Sequence, residues 1–234
     1  KKDILIAGSL SHRLPIPDGA KQSDPKHGVS ENRLRESCEE MAMFLAENGC
    51  DIIILEMMYH PDRMLSVFEA AAKSKKPIWA GFSTRLSDTG LVLSFMEEDD
   101  IPFEQIVNIV KDFNIDVAGI MHTDVNAVSK SLKVLRNFFD GPLMVYPDSG
   151  GWVSPNWDFD KVIQPGQLKS FAEKWIKEYK GKKADTPMDA AKDCDFIFTC
   201  VGNDNDLREV TLLSLIHISE PTRLRRISDA VFCV

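Results

Sequence analysis

The chain has 234 residues, 44% of them hydrophobic, which is enough apolar material for one sizeable domain with a true core. Its formal charge of −8 argues against a nucleic-acid partner, because binding a phosphate backbone needs clustered Lys and Arg. No run approaches the roughly 20 apolar residues of a membrane span, and five scattered cysteines without a CxxC pair read as reduced thiols, so a cytoplasmic protein with no membrane partner is expected.

Five short apolar runs alternate with helical patterns, the signature of β/α units around a parallel sheet. The first run, Ile4 to Ala7, moves straight into a strand instead of a signal-peptide core, and the lack of an initiating Met predicts a start inside a longer reading frame. The loop from Ser9 to Ser30, rich in proline and glycine, is long for a βα connection and reads as a lid. A helix is expected over Glu31 to Asn48, stopped by Asn48-Gly49, then a strand over Asp51 to Met57 and a helix over Pro61 to Lys73. Strands at Pro77 to Phe82, Val117 to Met121 and Pro142 to Tyr146 follow, separated by helices at Phe103 to Asn114 and Asn126 to Phe139. A polar and aromatic loop, Ser149 to Gln164, leads to a helix over Pro165 to Tyr179. From Gly181 the texture changes: a short helical pattern, a strand at Phe196 to Val201, then a stretch with no clean period.

In a parallel α/β fold chemistry collects at the carboxyl ends of the strands. Here those ends predict a cluster of Ser9, Glu56, Ser83, Thr84, His122, Tyr146, Asp148 and Ser149. One neutral base, two carboxylates and several hydroxyls suit a small polar substrate or a metal ion. Within DVAGIMHTD, Asp116 to Asp124, His122 stands where an apolar run stops abruptly, the place a ligand or catalyst would occupy. A single histidine there is more often a hydrogen-bonded structural residue. Glu56 reads equally well as a carboxylate bonded to backbone N–H groups, and Asp148-Ser149-Gly150-Gly151 as a tight turn.

The segments AGSL (Ala7 to Leu10), NGCDIIILEMM (Asn48 to Met58), PIWAGFS (Pro77 to Ser83), VAGIMHT (Val117 to Thr123) and PLMVYPDSG (Pro142 to Gly150) resemble, in order and spacing, the homocysteine S-methyltransferase family. The resemblance covers Lys1 to about Gly181 and implies a partial (β/α)8 TIM barrel made of the family's third to seventh strands. It implies zinc as cofactor, a small thiol such as homocysteine held on the metal as thiolate, and a sulfonium or similar methyl donor. It further implies three cysteine ligands, one after the sixth strand and an adjacent pair after the eighth. His122 takes the first of these places, and the chain has no adjacent cysteine pair. Asp148 stands where the family usually has Asn at the substrate's amino-acid end. An incomplete and inactive methyltransferase is therefore expected, with Ser9, Glu56, Ser83, Thr84, Tyr146, Asp148 and Ser149 toward substrate and His122 toward metal. Two alternatives rest on the residues alone: a metal-independent lyase or hydrolase using Glu56 and Asp148, and a non-catalytic small-molecule-binding module.

Thr186 to Val210 resembles the nucleotide-binding domain of the 3-hydroxyisobutyrate dehydrogenase family, but without a GxGxxG motif no NAD binding is expected. Leu213 to Arg223, LSLIHISEPTR, matches a translated transposase sequencing adapter. The expected organisation is a chimera: residues 1–181 barrel, 182–212 part of a Rossmann domain, 213–234 a disordered or artefactual tail.

Overall fold

Runs without polar alternation, such as Ile52-Ile53-Ile54-Leu55, require a strand buried on both faces. They fold that way in the computed structural model, which describes residues 6–13, 25–148, 150–153, 156–158, 162–181 and 232–233. Five parallel strands, β1 (Ala7–Ser11), β2 (Ile52–Met58), β3 (Ile78–Phe82), β6 (Val117–Asp124) and β7 (Leu143–Asp148), lie in that order in one sheet. A two-residue strand, β10 (Phe232–Cys233), pairs antiparallel with β7. Among the described residues the sheet stays open and does not close into a barrel.

Helices α1 (Glu31–Glu47), α2 (Pro61–Ser74), α3 (Phe103–Val110), α4 (Val125–Arg136) and α5 (Pro165–Tyr179) accompany the strands. Ile53, Leu55, Ala80, Phe82, Ala118, Ile120 and Val145 face this helix layer and form the main core with Met64, Phe68, Ile106 and Leu132. On the opposite face Ile52, Ile54, Trp79, Val117, Met121 and Met144 form a second buried cluster. Even and odd positions of each strand thus both meet apolar neighbours, which explains the unbroken hydrophobic runs.

Local signals account for the helix ends. Ser30 caps α1 by accepting the Arg33 N–H at 3.3 Å, and the Asn48 side chain closes it by donating to the Phe44 carbonyl at 2.8 Å. Helix α5 coincides with its expected span, whereas α3 stops at Val110, four residues before the expected Asn114, where the Phe113 N–H turns back to the Val110 carbonyl at 3.0 Å. The expected first strand, Ile4 to Ala7, is displaced: residues 7–11 pair with β2, and residues 1–5 lie outside the described residues. Gly8 and Ser9 are poor strand formers by themselves, and it is pairing with Ile53 and Ile54 that extends them. Two hairpins were not anticipated, β4 (Thr84–Leu86) with β5 (Val92–Ser94) and β8 (Gly151–Val153) with β9 (Asn156–Asp158).

Half of the expected lid (residues 14–24), the strand at Phe196 to Val201, the dehydrogenase-like stretch and nearly all of the tail lie outside the described residues. No helix among the described residues is long and apolar enough to cross a membrane.

Candidate functional site

Strands β2 and β6 both end in a register break, between Leu55 and Met58 and between Met121 and Asp124. At each break a non-glycine residue adopts a left-handed backbone, Met57 at φ 56° and His122 at φ 45°. Such a conformation costs about 1–3 kcal/mol and persists only where the surroundings enforce it. Met121 points to the second cluster, so simple alternation would send residue 122 to the helix layer. The left-handed turn instead carries the His122 ring against Tyr146, with centroids 4.9 Å apart and planes at 65°. Its Nδ1 then stands 3.6 Å from Asp148 Oδ1, and both side chains are about one-fifth exposed.

Of the expected cluster, His122, Tyr146 and Asp148 are thus brought together at the carboxyl ends of β6 and β7. Asp148 also lines a cavity of about 550 Å³ with Asp124, Asn126, Gln167, Ser170 and Phe171, between the end of β7, the start of α4 and α5. Glu56 is half-buried at the end of β2, level with Ser11 of β1, and three strand positions from Asp148 along the sheet. Ser9 lies in mid-strand opposite Ile54, so the expectation that it marks the end of β1 is corrected; Ser11 occupies that end.

Ser83 and Thr84 are fully buried with their hydroxyls engaged inside the fold. Ser83 donates to the Met121 carbonyl at 2.8 Å, and Thr84 shares a 2.7 Å hydrogen bond with Ser131 of α4. These bonds tie β3 to β6 and to the helix layer. Ser149 lies outside the described residues.

Sequence reading passed over Arg13, whose Nη1 sits 3.4 Å from the Met57 sulfur, beside the left-handed end of β2. It also passed over His12 and His60, which follow β1 and β2. The signal for both was their place within two residues of a strand's carboxyl end, the kind of position that singled out His122.

The homocysteine S-methyltransferase family matches residues 1–183. The chain belongs to the homocysteine S-methyltransferase family. This member resembles the crystal structure of the homocysteine methyltransferase MmuM from Escherichia coli in its apo form, with a TM-score of 0.50 and 19% identity over 74% of this chain and 53% of MmuM. The oxidized form of MmuM gives a TM-score of 0.43 and 18% identity over 62% of this chain and 44% of that one. An uncharacterized oxidoreductase from Shewanella frigidimarina (strain NCIMB 400) is 46% identical over 70 residues, covering 30% of this chain and 23% of that protein. The chain thus spans about half of MmuM and about a quarter of the curated relative.

In this homocysteine S-methyltransferase relative, no group of three or more His, Cys, Asp or Glu that could hold a metal is assembled among the described residues. Cys38 and Cys50 are free and buried, and burial raises both thiols above their ordinary range, so neither is a ready thiolate donor. His122 and Asp148 alone do not fit a zinc centre, which takes at least three protein ligands.

Proposed function

We propose that this chain carries the thiol-binding side of a methyltransferase acting on a small thiol such as homocysteine, and that by itself it does not turn over. The observation that supports this most is His122 on the left-handed end of β6, facing Tyr146 and Asp148, in a chain of the homocysteine S-methyltransferase family. In the family resemblance drawn from sequence, this is the place of the first metal-binding thiolate. An imidazole there is a weaker substitute, and a carboxylate near Nδ1 favours the tautomer that leaves the lone pair on Nε2.

Thiol alkylation needs the thiolate, which an ordinary thiol of pKa about 8.5 supplies only to a few per cent at neutral pH. What His122 offers is an imidazole against Tyr146 and 3.6 Å from the Asp148 carboxylate, and the neighbouring cavity offers room and polar groups for the amino-acid end of the acceptor. We infer that zinc belongs to the complete enzyme, because two donors hold it weakly. A lyase or hydrolase pairing Glu56 with Asp148 is less well supported, since β3 and β6 lie between them.

The test is methyl transfer from S-methylmethionine to homocysteine, with and without zinc, beside calorimetric titration with homocysteine alone. Binding that His122→Ala weakens, without turnover, is the expected result. Turnover at the rate of a complete enzyme would overturn the inactivity, and no binding at all would overturn the substrate reading.

A further inference from the structure

The cavity of about 550 Å³ between the end of β7, α4 and α5 falls within the range of small-molecule pockets, about 300–1,000 Å³. Asp124 and Asp148, register partners at the ends of β6 and β7, both line it, and none of the other described lining residues carries a charge. Among the described residues Asp148 has no basic group nearer than the His122 ring, at 3.6 Å.

The groups that could receive an anion are already engaged. Two helices begin at this cavity, and a helix N-terminus ordinarily offers N–H groups to a carboxylate. Asp124 caps α4, however, with Oδ1 accepting the Asn126 N–H at 2.8 Å and the Asn126 side-chain amide at 2.9 Å. Gln164 and Gln167 close the start of α5 with a reciprocal capping box. Ser170 donates its proton to the Gly166 carbonyl at 3.0 Å, so its hydroxyl keeps only acceptor capacity. The wall that remains is negative and rich in acceptors, with Phe171 as its aromatic member. A carboxylate meets like charge here, whereas an ammonium meets two carboxylates beside an aromatic ring.

We propose that Asp124 and Asp148 make this cavity select the acceptor by its amino group and disfavour a free carboxylate next to it, so that a simple aminothiol is preferred to an amino-acid thiol. The inference rests on the thiol-binding reading and adds to it the charge of the acceptor's far end.

The full chain would be titrated calorimetrically with homocysteine, with aminopropanethiol, which is homocysteine without its carboxylate, and with mercaptobutanoate, which is homocysteine without its amine. Aminopropanethiol is expected to bind tightest, homocysteine next, and mercaptobutanoate about tenfold or more weaker than aminopropanethiol. Asp148→Asn and Asp124→Asn remove the charge at nearly constant volume, and Asn is itself a favoured N-cap, so circular dichroism should find both variants folded. Each should narrow the spread to about threefold. Homocysteine or mercaptobutanoate binding as tightly as aminopropanethiol, or an unchanged spread in both variants, would overturn this proposal and leave the thiol-binding reading standing. Binding of none of the three would overturn that reading and this proposal with it.

Discussion

Gly119 of β6 and Met144 of β7 are register partners in such close contact that a Cβ on Gly119 would overlap the Met144 carbonyl oxygen and lie 2.8 Å from its carbonyl carbon. Gly81 of β3 is tight for a different reason: a Cβ there would overlap the end of the Met121 side chain. Backbone in mid-sheet cannot move aside, whereas a methionine can rotate. Gly81→Ala is therefore expected to cost about 1–3 kcal/mol and Gly119→Ala more than that. Urea denaturation of the two variants checks the order. Repeating Gly81→Ala in a Met121→Ala background separates the mechanisms, because the added cost should shrink once the overlapping side chain is gone.

The backbone at His122 makes a second prediction. At φ 45° the residue sits where Asn and His are tolerated and β-branched residues are not. His122→Asn should leave stability within about 1 kcal/mol of the parent, while His122→Val should lose about 1–3 kcal/mol through strain alone. Thermal denaturation distinguishes them. Equal losses would show that the left-handed turn is relaxed without the imidazole and does not hold the ring toward Asp148.

How far the sequence speaks for itself follows from these positions. Period and punctuation located β2, β3, β6, β7 and the α1, α2, α4 and α5 helices to within a few residues, because runs such as Ile52 to Leu55 and stops such as Asn48-Gly49 act locally. The β4–β5 hairpin was missed although Gly90 at φ 80°, donating to the Ser87 carbonyl at 2.8 Å, makes the turn in the run SDTG. Three-residue strands carry too little alternation to register. The meeting of His122 with Asp148 was legible as two strand ends, but not the left-handed residue that turns the ring, since φ is fixed by tertiary packing. Ser83 and Thr84 were drawn toward substrate by their position after β3, while the fold uses their hydroxyls internally.

Thr84 tests that last distinction. Ser131 donates its own proton to the Ala127 carbonyl at 3.0 Å, so in the 2.7 Å pair Thr84 is the donor and Ser131 the acceptor. The Thr84 N–H is bound in turn by the Thr123 hydroxyl oxygen at 3.0 Å, and Thr123 donates to the Met121 carbonyl at 2.9 Å. Thr84→Val breaks this fully satisfied chain at its first hydroxyl and should cost about 1–2 kcal/mol, with Thr84→Ser recovering most of it. Homocysteine affinity measured by calorimetry should not change in either variant. A weakened affinity with unchanged stability would place the hydroxyl at the substrate instead.

The buried His12 predicts acid sensitivity. Burial, followed by the charges of His60, Arg63 and Arg13, lowers its pKa from 6.5 to about 3. Between those values the unfolded chain binds a proton that the folded chain does not, so stability rises with pH through this window and is lost as pH falls below about 6.5. Full protonation is worth on the order of 5 kcal/mol, of which about 2 kcal/mol should already be gone between pH 7 and pH 5, where most carboxylates remain ionised. Urea midpoints at the two pH values measure that fraction. His12→Phe removes the titrating group while keeping a ring against Tyr59, so its midpoint should respond much less to the same change. An equal response would assign the acid sensitivity to other groups.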